Sequence, residues 1–355
     1  MGIKGAVWRD EAGDTAMVKI MVAILLCAML FGQFIPPGRA DGAEFDKLAA
    51  QEGKVVLYSC PGRQYVEPIA RELERMYPGI KVEATYGKGS QLQEKIRSEA
   101  RAGRPTADLF SCGWNALHRF GEEGYLGRYV SPELKHFPAA GLDQSGMKLP
   151  HSAHIYGIVI NTRMIGVEDV QSWADLANPK WRGKLAIQDP RRGGGFSWFV
   201  QTLVDPKLGE SYVKKMAQQK IFFGRTNDLV QSMLLRGEYA IHIAGTEERA
   251  ARETEKGAPL KFIRPSDGAF YTRIGLSMTK NAPHPNAAKL YLDFFLSEKG
   301  QKLLGETGYI PIRKGFRAKD GSDPLQGVNL AYAQSDEGMA REPEFKKKVK
   351  EAFFK

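Results

Sequence analysis

Val55-Val56-Leu57-Tyr58, at residues 55–58, opens the pattern that decides the fold. Four consecutive apolar residues suit a strand covered on both faces, as in a parallel sheet. Over residues 65–77 the period changes: Val66, Ile69, Ala70, Leu73, Met76 and Tyr77 recur at helical spacing with charges between them. Residues 80–85 alternate apolar and polar like a second strand. Residues 91–102 carry Leu92, Ile96 and Ala100 on one helical face, and Ala107-Asp108-Leu109-Phe110 reads as a third strand.

Working outward, the same rhythm resumes after a Pro/Gly/Ser-containing stretch at 131–150. Strands are expected at 155–161, 184–188, 221–223, 239–244, 260–263 and 274–278. A long closing helix is expected at 286–304, between Pro285 and Gly305, and a last helix at 342–354. Repeated βα alternation argues for an α/β fold, with parallel or mixed sheets flanked by helices. The 355-residue length fits two lobes of about 100–200 residues each. No internal repeat or low-complexity tract is visible.

Residues 1–40 differ from the rest. Residues 20–35 are almost wholly apolar, with Lys19 before them, Pro36-Pro37 after, and Gly38-Arg39-Ala40 offering small residues for cleavage. Such a segment reads as a secretory signal peptide, with Met17 as its expected start, because the acids of residues 10–14 do not belong in one. An uncleaved anchor is the competing reading. Cys27 follows Leu25 and Leu26, which lack the small residues a lipoprotein signal needs. Export to the periplasm is therefore expected, and the processed chain is not expected to be an integral membrane protein.

Net charge is +10; removing the four basic and three acidic residues of 1–40 leaves about +9. The basic residues are dispersed among acids, with no long run before Lys346-Lys347-Lys348, so nucleic acid is not an expected partner. An attraction for small anions fits better. The sequence holds no H-E-x-x-H, G-x-S-x-G or Walker loop and calls for no cofactor. An enzyme is not expected.

Several stretches together resemble the type 2 periplasmic binding proteins, in the branch that contains ferric-iron binders. They are residues 55–59 (Val55-Val56-Leu57-Tyr58-Ser59), residues 107–111 (Ala107-Asp108-Leu109-Phe110-Ser111) and residues 156–162 (Tyr156-Gly157-Ile158-Val159-Ile160-Asn161-Thr162). Ser172-Trp173-Ala174-Asp175-Leu176, continued to Asp189-Pro190, is the most specific, and Gly308-Tyr309-Ile310-Pro311-Ile312 closes the series. The resemblance covers about residues 54–313. It implies two α/β lobes joined by crossing strands, expected at Ile155-Tyr156-Gly157 and Arg273-Ile274-Gly275, with ligand between the lobes. Lobe one is then 41–152 plus about 273–355, and lobe two is 153–272. It also implies a small-molecule ligand, closure by hinge bending and an ABC permease as partner for a monomeric protein.

Ligands of open α/β sheets sit beyond the carboxyl ends of strands. That rule selects loops at 59–64, 87–90, 111–115, 189–197, 225–228 and 245–248. Most run straight into helices, whose first N–H groups favour negative ligand groups. Arg63, Arg191, Arg192, Arg225, Arg249 and Arg273 fall in or beside these elements, and guanidinium groups grip carboxylate or phosphate oxygens bidentately. After Arg191-Arg192, Gly194 and Gly195 allow close backbone approach. Ser59, Ser90, Ser111, Ser197, Asn227, Thr246 and Glu247 complete the polar candidates. Tyr58, Trp114, Tyr156, Trp198 and Tyr271 are candidate walls or core residues. His151 and His154, three apart at a strand, point to opposite faces, and His242 reads as a core histidine.

Iron-binding members of this branch carry two adjacent tyrosines just after a strand. Here Glu247 and Glu248 follow the corresponding strand, with Tyr271 as the one nearby tyrosine. No metal site is expected on that ground, and Glu247, Glu248 and Tyr271 form the alternative set. Cys60 and Cys112 each follow a strand, and the resemblance makes those strands neighbours. A disulfide between them is one reading, two buried thiols the other. Three functions compete. An ABC importer's solute-binding protein would take an organophosphate, phosphonate or carboxylate; a ferric-iron or other metal binder would use the alternative set; a ligand-loaded sensor would dock on a receptor.

Overall fold

The computed structural model describes residues 42–139 and 142–354; the signal segment expected at 1–40 lies outside the described residues. Strands β1 (Lys54–Ser59), β2 (Lys81–Tyr86) and β3 (Leu109–Gly113) are parallel, with β1 between the other two. Helices α1 (Arg63–Met76), α2 (Gly89–Arg101) and α3 (Trp114–Glu122) follow them in turn. Helix α1 buries Val66, Ile69, Ala70 and Leu73, the stripe expected from its spacing. Each large apolar side chain so covered contributes about 1.5–3 kcal/mol of transfer free energy.

A second parallel group comprises β5 (Leu185–Gln188), β6 (Phe222–Gly224) and β7 (Ile241–Thr246). It is covered by α4 (Gly193–Val204), α5 (Gly209–Ala217), α6 (Asn227–Leu235) and α7 (Glu247–Glu255). Two long strands connect the groups: β4 (Leu149–Asn161) and β9 (Phe270–Met278), with β8 (Leu260–Ile263) between α7 and β9 in the chain. The strand path is β2-β1-β3-β9-β4-β7-β5-β6. The fold is therefore mixed α/β, as expected.

Strand β4 pairs with antiparallel β9 from Leu149 to Tyr156, then with β7 from Tyr156 and β8 from Ile158. The exchange falls at a register shift between Gly157 and Ile158. A side chain at Gly157 would meet the Ile263 carbonyl oxygen at 2.5 Å, so the crossing requires glycine there. Its counterpart on β9 is Phe270, opposite Tyr156, rather than the expected Arg273-Ile274-Gly275, whose Ile274 and Gly275 already pair with both β3 and β4.

Two further expectations change. The strand expected at 155–161 begins at Leu149, because a register shift between Pro150 and Ser152 accommodates the proline. The closing helix is two helices, α8 (Pro285–Leu296) and α9 (Glu298–Glu306). Ser297 lies extended between them, and its hydroxyl accepts the Gly300 N–H at 3.2 Å, a cap that competes with helix continuation. The last helix, α10 (Glu342–Phe353), buries Phe345 and Val349 in one hydrophobic cluster with Trp173, Trp198 and Phe199, although the sequence groups residues 273–355 with lobe one.

Candidate functional site

A cleft of about 420 Å³ opens where β3, β4, β9 and the starts of α3 and α4 meet. Helix α3 begins directly after β3. Its N-cap, Gly113, offers no side chain, so no side chain caps the first-turn N–H groups, and residues 113–116 line the cleft. Helix α4 starts at Gly193, whose φ of +53° suits glycine, and the Gly194 N–H donates to Gln188 Oε1 at 3.0 Å. Two helix N-termini thus give the cleft a positive partial charge.

Arg273 is the deepest cation, 4% exposed. Its guanidinium lies 4.0 Å over the Trp114 ring, and Nη2 donates to the Gln334 carbonyl oxygen. Its backbone N–H donates to Gln334 Oε1 at 2.6 Å. Burial pulls the Arg273 pKa down to about 10, which leaves the group charged at neutral pH. Lys148, 5.0 Å from the Trp114 ring, forms an ion pair with Asp143 at 3.2 Å behind this wall.

Arg119, Arg191, Arg192, Arg249 and Lys346 also line the cleft. The Arg191 guanidinium forks onto Asp189, with Nη2 to Oδ2 at 2.6 Å and Nε to Oδ1 at 2.9 Å. Burial works to raise the Asp189 carboxyl, but the Arg191 bonds outweigh it and hold the group low. Arg192 lies 3.8 Å from the same carboxylate and is largely exposed. Arg249 pairs with Asp228, and Arg119 with Glu342 at 3.1 Å. Glu342 is the one carboxylate on the cleft lining among the described residues. His154 Nδ1 stands 2.7 Å from the buried Glu248 Oε1, with Tyr309 beside the ring at 5.4 Å.

Of the residues singled out in the sequence, Trp114, Tyr156, Arg191, Arg192, Ser197, Arg249 and Arg273 come together on this cleft. His154, Cys60 and Cys112 line it too, and the remaining candidates do not. Arg63 is exposed, paired with Glu67 at 2.8 Å and resting on Tyr86. Arg225 and Ser90 face solvent. Ser59 is buried and donates to the Pro61 carbonyl at 2.9 Å; Ser111 is buried and donates to the Gly275 carbonyl at 3.2 Å. Asn227 opens α6, and Thr246 is the buried N-cap of α7. Gly194 and Gly195 support the site from behind: added side chains would meet the Tyr156 ring at 2.3 Å and the Gln188 carbonyl at 2.0 Å.

Tyr58 is buried and donates to Glu99 Oε1 at 2.6 Å, and Trp198 is core. Glu247 pairs with Arg264 at 2.8 Å and lines, with Glu248, a separate recess; Tyr271 lines neither. Among the described residues, no three His, Cys, Asp or Glu side chains gather to hold a metal. Cys60 and Cys112 are joined as a disulfide across neighbouring strands, Cα atoms 5.0 Å apart, and both line the cleft. Phe196, Tyr309, Gln334, Glu342 and Lys346 line the cleft without having been singled out as ligand-binding candidates. The last three come from a segment long after β9 that no strand-end rule selects.

Residues 69–326 match the profile described as bacterial extracellular solute-binding protein, and the chain belongs to that family. It is 26% identical to iron uptake protein A1 of Synechocystis over 67% of this chain and 70% of that one. It is 24% identical to the spermidine/putrescine-binding periplasmic protein of Escherichia coli over 71% and 76%. The periplasmic binding protein AfuA of Actinobacillus pleuropneumoniae, solved with fructose-6-phosphate bound, superposes with TM-score 0.71. That match spans 85% of this chain and 98% of AfuA at 23% identity, a likeness of fold. The fold is thus that of type 2 periplasmic binding proteins, and the chain is a transport protein of the ABC-importer solute-binding kind. Among the described residues, no helix is long and apolar enough to cross a membrane.

Proposed function

We propose that this protein captures a small anionic solute, an organophosphate, phosphonate or carboxylate, between its lobes and delivers it in the periplasm to an ABC permease. The observation that carries the reading is Arg273, buried against Trp114 beside the uncapped start of α3. A buried guanidinium next to a helix start that no side chain caps rewards an oxyanion and repels a polyamine or bare metal cation. The relatives' printed ligands span iron, polyamines and a sugar phosphate, and the cationic side chains of this cleft favour the anion among them. Lobe two on this reading is 153–272 with α10 docked on it, lobe one takes most of the rest, and the protein acts as a monomer.

The test is calorimetric titration of purified protein with phosphate monoesters, phosphonates and di- and tricarboxylates, alongside ferric citrate and putrescine. Saturable binding of one anion class supports the reading. Tight binding of putrescine, or of ferric iron with visible colour and no anion dependence, would sink it.

A further inference from the structure

Glu342 is an anomaly in a cleft whose other charged lining residues, His154 aside, are Arg119, Arg191, Arg192, Arg249, Arg273 and Lys346. It is the first residue of α10, its side chain is 13% exposed, and its carboxylate lies 3.1 and 3.3 Å from Arg119 Nη1. Lys346, one turn further along, reaches it at 2.6 Å. All three residues line the cleft. The acids that neutralise Arg191 and Arg249, Asp189 and Asp228, stand outside the lining. Glu342 alone presents its carboxylate where a ligand's oxyanion would seek the same two cations.

Resting on the anion reading above, we infer that Glu342 is a displaceable internal competitor, occupying Arg119 and Lys346 in place of the ligand's anionic group and so setting the affinity of the cleft. The physical case is an exchange. A ligand anion that engages Arg119 and Lys346 must first separate them from a carboxylate already held by two charge-assisted bonds. That separation is a cost subtracted from binding. On release the carboxylate re-pairs with the cations, so the departing anion leaves no uncompensated charge in the cleft. A position at the first turn of α10 suits this role. The helix N-terminus favours the acid there.

The experiment titrates wild type, Glu342→Gln, Glu342→Asp and a charge control, Glu238→Gln, with inorganic phosphate and with citrate, and follows Tm in parallel. Glu238 is exposed, pairs with Arg236 and lies away from the cleft. Glu342→Gln is expected to bind both probes about fivefold more tightly, the upper end for ion pairs whose cations are half exposed. Glu342→Asp, which keeps the charge at the helix start but shortens the reach, is expected to fall between and keeps the test alive if the glutamine variant folds poorly. Glu238→Gln should match wild type. Unchanged or weaker binding in both Glu342 variants would show a mere latch between α3 and α10 and overturn the inference, as would an equal gain in Glu238→Gln. Binding of neither probe by any variant would count against the anion reading itself; probes bound equally by all count against Glu342 alone.

Discussion

His154 on β4 and Glu248 in the first turn of α7 approach to 2.7 Å, side chains 22% and 4% exposed, and so tie the connecting strand to a helix of the second strand group. Burial works to raise the Glu248 carboxyl, but the His154 ring outweighs it and holds the group below the ordinary carboxylate range. A depressed carboxylate stabilises the fold above its unfolded pKa and loses that contribution as pH falls through the folded value. Removing the ring should leave a buried charge without its partner. His154→Ala is expected to lose about 3 kcal/mol in urea unfolding, and the double variant with Glu248→Gln to recover much of it. A loss below experimental error would refute the pairing.

Acid sensitivity should begin earlier, from two other histidines. Burial pulls His151 and His242 down to about 3, with His154 and Arg249 adding to the effect respectively. Both stay neutral in the folded chain while the unfolded chain takes up protons below about 6.5, so stability falls as pH drops through that value. From pH 7.5 to 5.5 each should cost about 1 kcal/mol. Glutamine at both positions should flatten the curve in that window.

The arginines should not be equal. Arg191 spends its fork on Asp189 and lies 4.1 Å over Phe354, whereas Arg273 is buried at the helix start. Arg273→Met is expected to weaken anion binding at least about a hundredfold, as for a fully desolvated charge, and Arg191→Ala less than about fivefold. The reverse order, read by calorimetry, would place the anion on α4 rather than α3.

Gly195→Ala should disturb the site without touching a ligand. The new methyl would lie 2.0 Å from the Gln188 carbonyl oxygen, so the turn into α4 must shift. A loss of about 1–3 kcal/mol in stability is expected, together with weaker anion binding.

The disulfide is testable by thiol count and by reduction. Denatured, unreduced protein should show no thiol from Cys60 or Cys112. Reduction should lower stability by up to about 4 kcal/mol on the chain-entropy model, given a separation of 52 residues. Two free thiols would end the assignment.

Local order was legible because it is written in nearest neighbours. The helical stripe of α1, the apolar run of β1 and the strand at 260–263 follow from side-chain period alone. Boundaries failed where a long-range partner decides them. Nothing local announces that β9 draws residues 149–154 into β4, or that Ser297 breaks a strongly apolar helix.

The sequence by itself determined the α/β alternation and a set of strand-end loops from which Trp114, Arg191 and Arg192 could be chosen, because strand polarity aims those loops at one edge; Arg273 lies inside β9 instead. Only the tertiary structure decided which cations remain available to a ligand. Arg119 and Arg249 carry no local sign of their partners, yet one pairs with Glu342, 223 residues further along the chain, and the other with Asp228. It also decided that Gln334, Glu342 and Lys346 return to the site from the last segment of the chain. Charge pairing depends on distances across the fold, and those distances are set by packing that no single stretch of residues contains.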